Sequence, residues 1–199
     1  SKNFKCTKYF KLYNKGFIIM RGQLETIVGA MFAGKTSELL KRILWAKHQN
    51  KKIIVIKPII DNRYSQEKII THNDLSHDCF SMKSWLDVNN NFSFNRDNVD
   101  TVFLDEIQFM STKETLENIE IILNNGVDVV CAGLDQDSRG KPWETSSMVL
   151  GLSDKIIKIY GFCNVCGMEA TKTYRKTQGG GRTQVGAANI YEPRCLKHW

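Results

Sequence analysis

The stretch that most limits the fold is Gly29–Leu40, "GAMFAGKTSELL". It contains Gly29-x4-Gly34-Lys35-Thr36, preceded by the strand-like "QLETIV" (23–28) and followed by Leu39, Leu40, Ile43 and Leu44 at helical spacing, a helix predicted to run to about Asn50. Small residues let a backbone curl so that successive N–H groups face phosphate oxygens, and the helix start adds positive potential. Gly29, Ala30, Met31, Phe32, Ala33, Gly34, Lys35 and Thr36 are therefore the expected phosphate cradle. Lys35 reaches the β- and γ-phosphates and Thr36 offers a hydroxyl to Mg²⁺. A strand–loop–helix of this kind implies an α/β chain.

The rest of the pattern agrees. "KKIIVIKP", "DTVFLDE", "VDVVCAGL" and "DKIIKIYGF" read as apolar strands. Between the middle two lies "STKETLENIEIILNNG", a helix with a Ser111/Glu114 capping box, inward-facing Leu116, Ile119 and Leu123, and Gly126 at its end. Residues 61–98 are polar and read as loops with one short helix near Ser84. Alternating strands and helices imply a mostly parallel sheet with helices packed on it.

Two further motifs carry chemistry. In "VFLDEIQF" (102–109) three apolar residues end in Asp105 and Glu106, at a strand's C-terminal edge, where ligands meet open α/β sheets. One acid can serve Mg²⁺ and the other can take a proton from an attacking hydroxyl or position it. A water-activating hydrolase is equally compatible with that pair. "KPIIDNRY" places Asp61, Arg63 and Tyr64 at the same edge, and Arg63 could neutralise phosphoryl charge or simply pair with Asp61.

Cys163-x2-Cys166-x28-Cys195-x2-His198 has the knuckle spacing of a four-coordinate structural Zn²⁺ site. It would staple the ends of residues 167–194. With no secretion pattern, the six Cys fit a reducing, cytoplasmic setting better than a disulfide framework. No apolar run is long enough for a membrane span. The net charge of +7 falls to +2 once the five Lys of residues 1–19, which include no acid, are set aside. That weakens the case for a nucleic-acid partner. A zinc-bearing P-loop ATPase that binds nucleic acid nevertheless stays open as the alternative. The expected organisation is a flexible extension (1–19), a P-loop α/β unit (20–160) and a zinc-binding unit (161–199).

In this order, "GQLETIVGAMFAGKTSELL", "KPIIDNRY", "VFLDEIQF", "GLDQDSRGKPW" and "VGAANIYEPRCLKHW" closely resemble the cytosolic-type (type II) thymidine kinases over residues 20–199. The resemblance implies a P-loop NTPase-like sheet with a small zinc-containing lasso that closes over the nucleoside. It implies transfer of the γ-phosphoryl of ATP, with Mg²⁺, to the 5′-hydroxyl of thymidine, in nucleotide salvage for DNA synthesis. Matched by motif, Glu106 is the base, Asp105 (with Thr36) the Mg²⁺-side acid and Arg63 the phosphate-site arginine. Met31, Phe109, Leu134, Trp143, Thr173, Val185, Gly186 and Tyr191 match positions around the thymidine. A homotetramer and inhibition by thymidine triphosphate are also implied, with no membrane or nucleic-acid partner. One departure stands out: Ser138 replaces a Phe that normally packs on the base, while Trp143 stands where Phe is usual.

Overall fold

The computed structural model describes residues 20–59, 68–70, 76–177, 179, 181–182 and 189–199. Six parallel strands form the main sheet: β1 (Leu24–Gly29), β2 (Ile53–Pro58), β5 (Phe80–Met82), β6 (Thr101–Leu104), β7 (Asp128–Leu134) and β8 (Lys155–Ile159). Two short strands, β3 (Lys68–Ile70) and β4 (Ser76–Asp78), pair antiparallel outside it. The main-sheet order is β5-β2-β6-β7-β1-β8, so β7 lies between the strand that feeds the phosphate loop and the strand that ends in the acids. The helices are α1 (Lys35–His48), α2 (Trp85–Asn91), α3 (Thr112–Asn124) and α4 (Glu144–Leu152).

Strand side chains alternate between two faces, and each face has its own core. Ile27, Val55, Phe103, Val130 and Ala132 pack on the Leu39–Leu40–Ile43–Ala46 stripe of α1. Leu24, Ile56, Val102, Leu104, Val129 and Cys131 face α2, α3 and α4 through Trp85, Val88, Ile119, Ile122 and Val149. One buried polar pair lies between these layers: Trp85 Nε1 donates to Thr115 Oγ1 at 3.0 Å.

Several expectations change. Helix α1 stops at His48, because Asn50 adopts a left-handed φ of 56°, and Leu44 turns outward rather than joining the apolar stripe. Ser111 does sit at the N-cap of α3, but its side chain makes no capping bond, so there is no capping box. The stretch read as loops around one helix also contributes β5 to the sheet; the helix itself begins after Ser84, whose hydroxyl accepts from Asp87 N at 3.3 Å. "DKIIKIYGF" is not one strand but two: β8 ends at Ile159, and β9 (Gly161–Phe162) belongs to a different sheet. Helix α4 was not foreseen.

After β8 the chain forms two small antiparallel pairs. β9 pairs with β10 (Glu169–Ala170), and β11 (Lys172–Arg175) pairs with β12 (Tyr191–Arg194) in the register Thr173↔Pro193. No helix among the described residues is long and apolar enough to cross a membrane.

Candidate phosphate-transfer site and zinc centre

The loop after β1 turns under tight steric limits. A Cβ on Gly29 would lie 2.3 Å from Ile159 O, so only glycine lets β8 pass this close. Phe32 (φ 63°) and Gly34 (φ 91°) both adopt left-handed backbone, which folds the loop back toward α1. Gly34 caps α1 without a side-chain bond, leaving the first N–H groups of the helix to a ligand rather than to the protein's own cap. Lys35 is buried, and its Nζ donates to Ala30 O at 2.7 Å. Burial pulls its pKa down, while Glu106, Asp105 and Asp135 pull it up. Thr36, half-buried, follows it in the first turn.

β6 delivers the acids to the same edge. Asp105 is buried, and its Oδ1 accepts from Glu106 N at 3.0 Å. Burial, then the charge of Glu106, raises the Asp105 carboxyl from 3.8 to about 7, against that N–H bond and the charges of Lys35 and Lys57. Glu106 adopts φ 54°, a backbone state that non-glycine residues hold at a cost of about 1–3 kcal/mol and that clusters at functional sites. Its carboxylate is gripped by Gln108: Nε2 donates to Glu106 Oε2, while Oε1 accepts from Leu134 N at 2.9 Å. Gln108 thus ties the acid to the end of β7. Gly133 permits this, since a Cβ there would come within 2.7 Å of Gln108 Oε1. Gln108 escaped the sequence reading, although a polar residue in the apolar "IQF" turn beside two acids was a visible signal. Asp135, paired with Lys158 at 2.8 Å, adds a third acid that the sequence reading passed over.

The residues expected around an acceptor are placed as follows. Met31 and Thr173 meet directly: Met31 N donates to Thr173 Oγ1 at 3.0 Å, joining the phosphate loop to β11. Phe109 and Trp143 form an edge-on pair with centroids 5.6 Å apart. Leu134 is buried at the end of β7 and Tyr191 is buried in β12. Ser138 is half-buried in the turn after β7. Asp61, Arg63, Tyr64, Val185 and Gly186 lie outside the described residues.

Cys163, Cys166, Cys195 and His198 do come together, with every ligand atom within 4.8 Å of the others. Cys166 and Cys195 Sγ are 3.7 Å apart, and Cys163 Sγ lies 3.7 Å from His198 Nδ1. A tetrahedral Zn²⁺ with ordinary Zn–S and Zn–N bonds needs separations of about 3.5–3.8 Å, so the donor set fits. Two turns build it. Gly167 N donates to Cys163 O (2.8 Å) between β9 and β10, and His198 N donates to Cys195 O (3.1 Å) after β12. Although desolvation works the other way, backbone N–H groups of Cys195, Val165 and Cys166 and the His198 ring bring the Cys163 thiol down to about 5, a thiolate ready for metal. Three thiolates and one imidazole would leave a bound Zn²⁺ no open position, which is compatible with a structural centre.

The residue patterns of this chain also match a known family. Its sequence model, thymidine kinase, matches residues 22–199, and the chain belongs to the thymidine kinase family.

Proposed function

We propose that this protein transfers the γ-phosphoryl of ATP to the 5′-hydroxyl of thymidine, with Glu106 as general base. The carrying observation is the placement of Glu106: its carboxylate is fixed by Gln108 and acts electrostatically on Lys35 of the phosphate loop. A base so held can accept a proton only from a group bound at the end of β6, beside the phosphate it must attack.

The reaction balances as follows. The O5′–H proton passes to the Glu106 carboxylate, O5′ bonds to Pγ, the bond from Pγ to the β,γ-bridging oxygen breaks, and ADP leaves. Lys35 and the backbone N–H groups of 29–36 hold the phosphates and stabilise the transferred charge. Thr36 and Asp105, hard oxygen donors on either side of the loop, suit Mg²⁺; bound there, the ion would neutralise phosphate charge. Arg63 adds positive charge on this reading.

The kinase unit (20–160) supplies that machinery and the zinc unit (161–199) covers the nucleoside, excluding water as competing acceptor. The Met31–Thr173 bond supports this division, since it connects the cradle to the cover. Leu134, Phe109, Trp143 and Tyr191 line the thymine side, with Val185 and Gly186 offering backbone groups to its polar edge. Deoxyuridine is a second acceptor, favoured by the loss of an aromatic face at Ser138. On this reading thymidine monophosphate serves nucleotide salvage and DNA synthesis in the cytoplasm, and a homotetramer responds to thymidine triphosphate.

The test is a phosphoryl-transfer assay with Mg²⁺–ATP and a panel of purine and pyrimidine nucleosides. Thymidine should lead, followed by deoxyuridine. ATP hydrolysis without nucleoside product, joined to salt-sensitive DNA binding by residues 20–199, would replace the kinase reading with the nucleic-acid ATPase.

A further inference from the structure

The turn after β7 is unusually well built. Asp137 Oδ1 accepts from both Arg139 N and Lys141 N at 2.9 Å, Asp137 N donates to Lys141 O at 2.9 Å, and Gly140 N donates to Asp137 O at 3.0 Å. Gln136 and Pro142 close the turn as a bridge. Side chains from the C-terminal unit grip this turn. Lys172 Nζ donates to Gln136 Oε1 at 2.6 Å, and the Trp199 ring lies against Gly140, where a Cβ would come within 2.8 Å of it.

Arg182 makes the fullest contact. Its Nε pairs with Asp137 Oδ2 at 2.8 Å, its Nη2 donates to Pro142 O at 2.7 Å, and its guanidinium lies over the Trp143 ring at 4.1 Å. Asp137 is almost fully covered, with a side-chain exposure of 3%. One planar cation thus satisfies a buried carboxylate and covers an aromatic face, a geometry that Lys cannot reproduce. Beneath that face Trp143 meets Phe109 edge-on, and Phe109 N donates to Glu106 O at 3.0 Å. A continuous stack therefore runs from Arg182 through Trp143 and Phe109 to the turn that carries Glu106.

We propose that Arg182 is a positioning residue that clamps Trp143 against Phe109, so that this stack, and not an aromatic at position 138, forms the wall that selects the acceptor base. This rests on the nucleoside-kinase reading above. The chain lacks the aromatic side chain at Ser138, and the cation over Trp143 supplies the rigidity that a second ring would have given. Arg182 contacts Asp137, Pro142 and Trp143 rather than Lys35, Asp105 or Glu106, so its loss should act on acceptor binding and spare the transfer step.

The experiment compares Arg182→Ala and Arg182→Lys with wild type in steady-state kinetics, varying thymidine and ATP separately. Arg182→Ala should raise the thymidine KM about three- to fivefold, the order of a partly exposed cation–π contact, with kcat and the ATP KM within about twofold of wild type. Arg182→Lys should fall between the two, keeping the charge but not the planar cover. In a Trp143→Ala background, Arg182→Ala should add less than about twofold, because the two side chains act as a unit. An unchanged thymidine KM, an equal rise in both KM values with a fall in kcat, or full additivity with Trp143→Ala would overturn the proposal. A ligand-free readout separates this from failure of the kinase reading. Arg182→Ala should red-shift tryptophan emission, and the shift should vanish in Trp143→Phe. Its absence rejects the clamp even if thymidine proves to be no substrate.

Discussion

Replacing Asp105 by Asn should stabilise the ligand-free protein at pH 8 while removing an acid that Mg²⁺–ATP needs. Asp105 is 5% exposed, and burial together with Glu106 lifts its carboxyl from 3.8 to about 7. A carboxyl raised on folding favours the folded state fully below its unfolded value and loses that contribution as pH climbs through the folded value. Stability should therefore fall between about pH 4 and pH 7, by at most ~4 kcal/mol at about 1.4 kcal/mol per pH unit. Asn resembles the protonated acid in shape and keeps an oxygen for Glu106 N, so the variant escapes the loss. A gain of 2–4 kcal/mol corresponds to roughly 5–10 °C in Tm for a domain of this size. The assay is thermal or urea unfolding of both proteins from pH 4.5 to 8.5 without Mg²⁺ or nucleotide. The gap should open across that range and level off above pH 8, while phosphoryl transfer by Asp105→Asn falls at least about a hundredfold. A variant less stable than wild type at pH 8, or a gap independent of pH, would refute the reasoning. Such a result would mean that Asp105 is held ionised, as an ordinary structural carboxylate.

Three further outcomes follow from the geometry. Thr173→Val keeps the shape of a 4%-exposed side chain but strands the Met31 N–H, so urea unfolding should show a loss of about 1–3 kcal/mol, with activity falling as the loop and β11 part. Cys195→Ser, or zinc removal by a chelator, should abolish stoichiometric zinc and open residues 161–199 to limited proteolysis, since binding energy at such a site is folding energy. ATP binding at the phosphate loop, measured by calorimetry, should survive. Ser138→Phe should lower the thymidine KM several-fold, on the scale of about 1–3 kcal/mol for an added aromatic face, and an unchanged KM would show that the base already has all the stacking it can use.

How much of this was legible in the sequence depends on the range of the interactions involved. The strand–turn–helix around Gly29–Thr36, the place of Asp105 and Glu106 at the end of β6 and the gathering of the Cys3His cluster are set by spacing over a few residues, and each takes the geometry the spacing implied. Family membership, too, followed from the ordered motifs. Elements fixed by tertiary context were harder to read. Helix α4 buries Thr145 and Ser146 and exposes Met148 and Leu152, so its apolar pattern points the wrong way. Thr145 fits there because its Oγ1 donates to Met110 O at 3.0 Å, a partner 35 residues away that no local pattern reveals. Strand β8 lies at the sheet edge, with Ile156 53% exposed, and its apolar run therefore looked more central than it is. β5 is three residues long and, among the described residues, pairs with β2 alone. Within the site, Gln108 also reaches a partner 26 residues away, Asp137 one 45 away and Arg182 one 40 away in sequence, beyond any local pattern.

The central claim is that Glu106 takes the proton of the acceptor hydroxyl. Glu106→Gln keeps the size of the side chain and can still hydrogen-bond Gln108, so the comparison isolates the carboxylate. The direct measurement is kcat for thymidine phosphorylation by Glu106→Gln with saturating Mg²⁺–ATP, alongside zinc content and ATP affinity. With Glu106 as the base, kcat should fall about 10²–10⁴-fold with zinc and ATP binding unchanged. A kcat within about threefold of wild type would remove Glu106 from the base role and contradict the account.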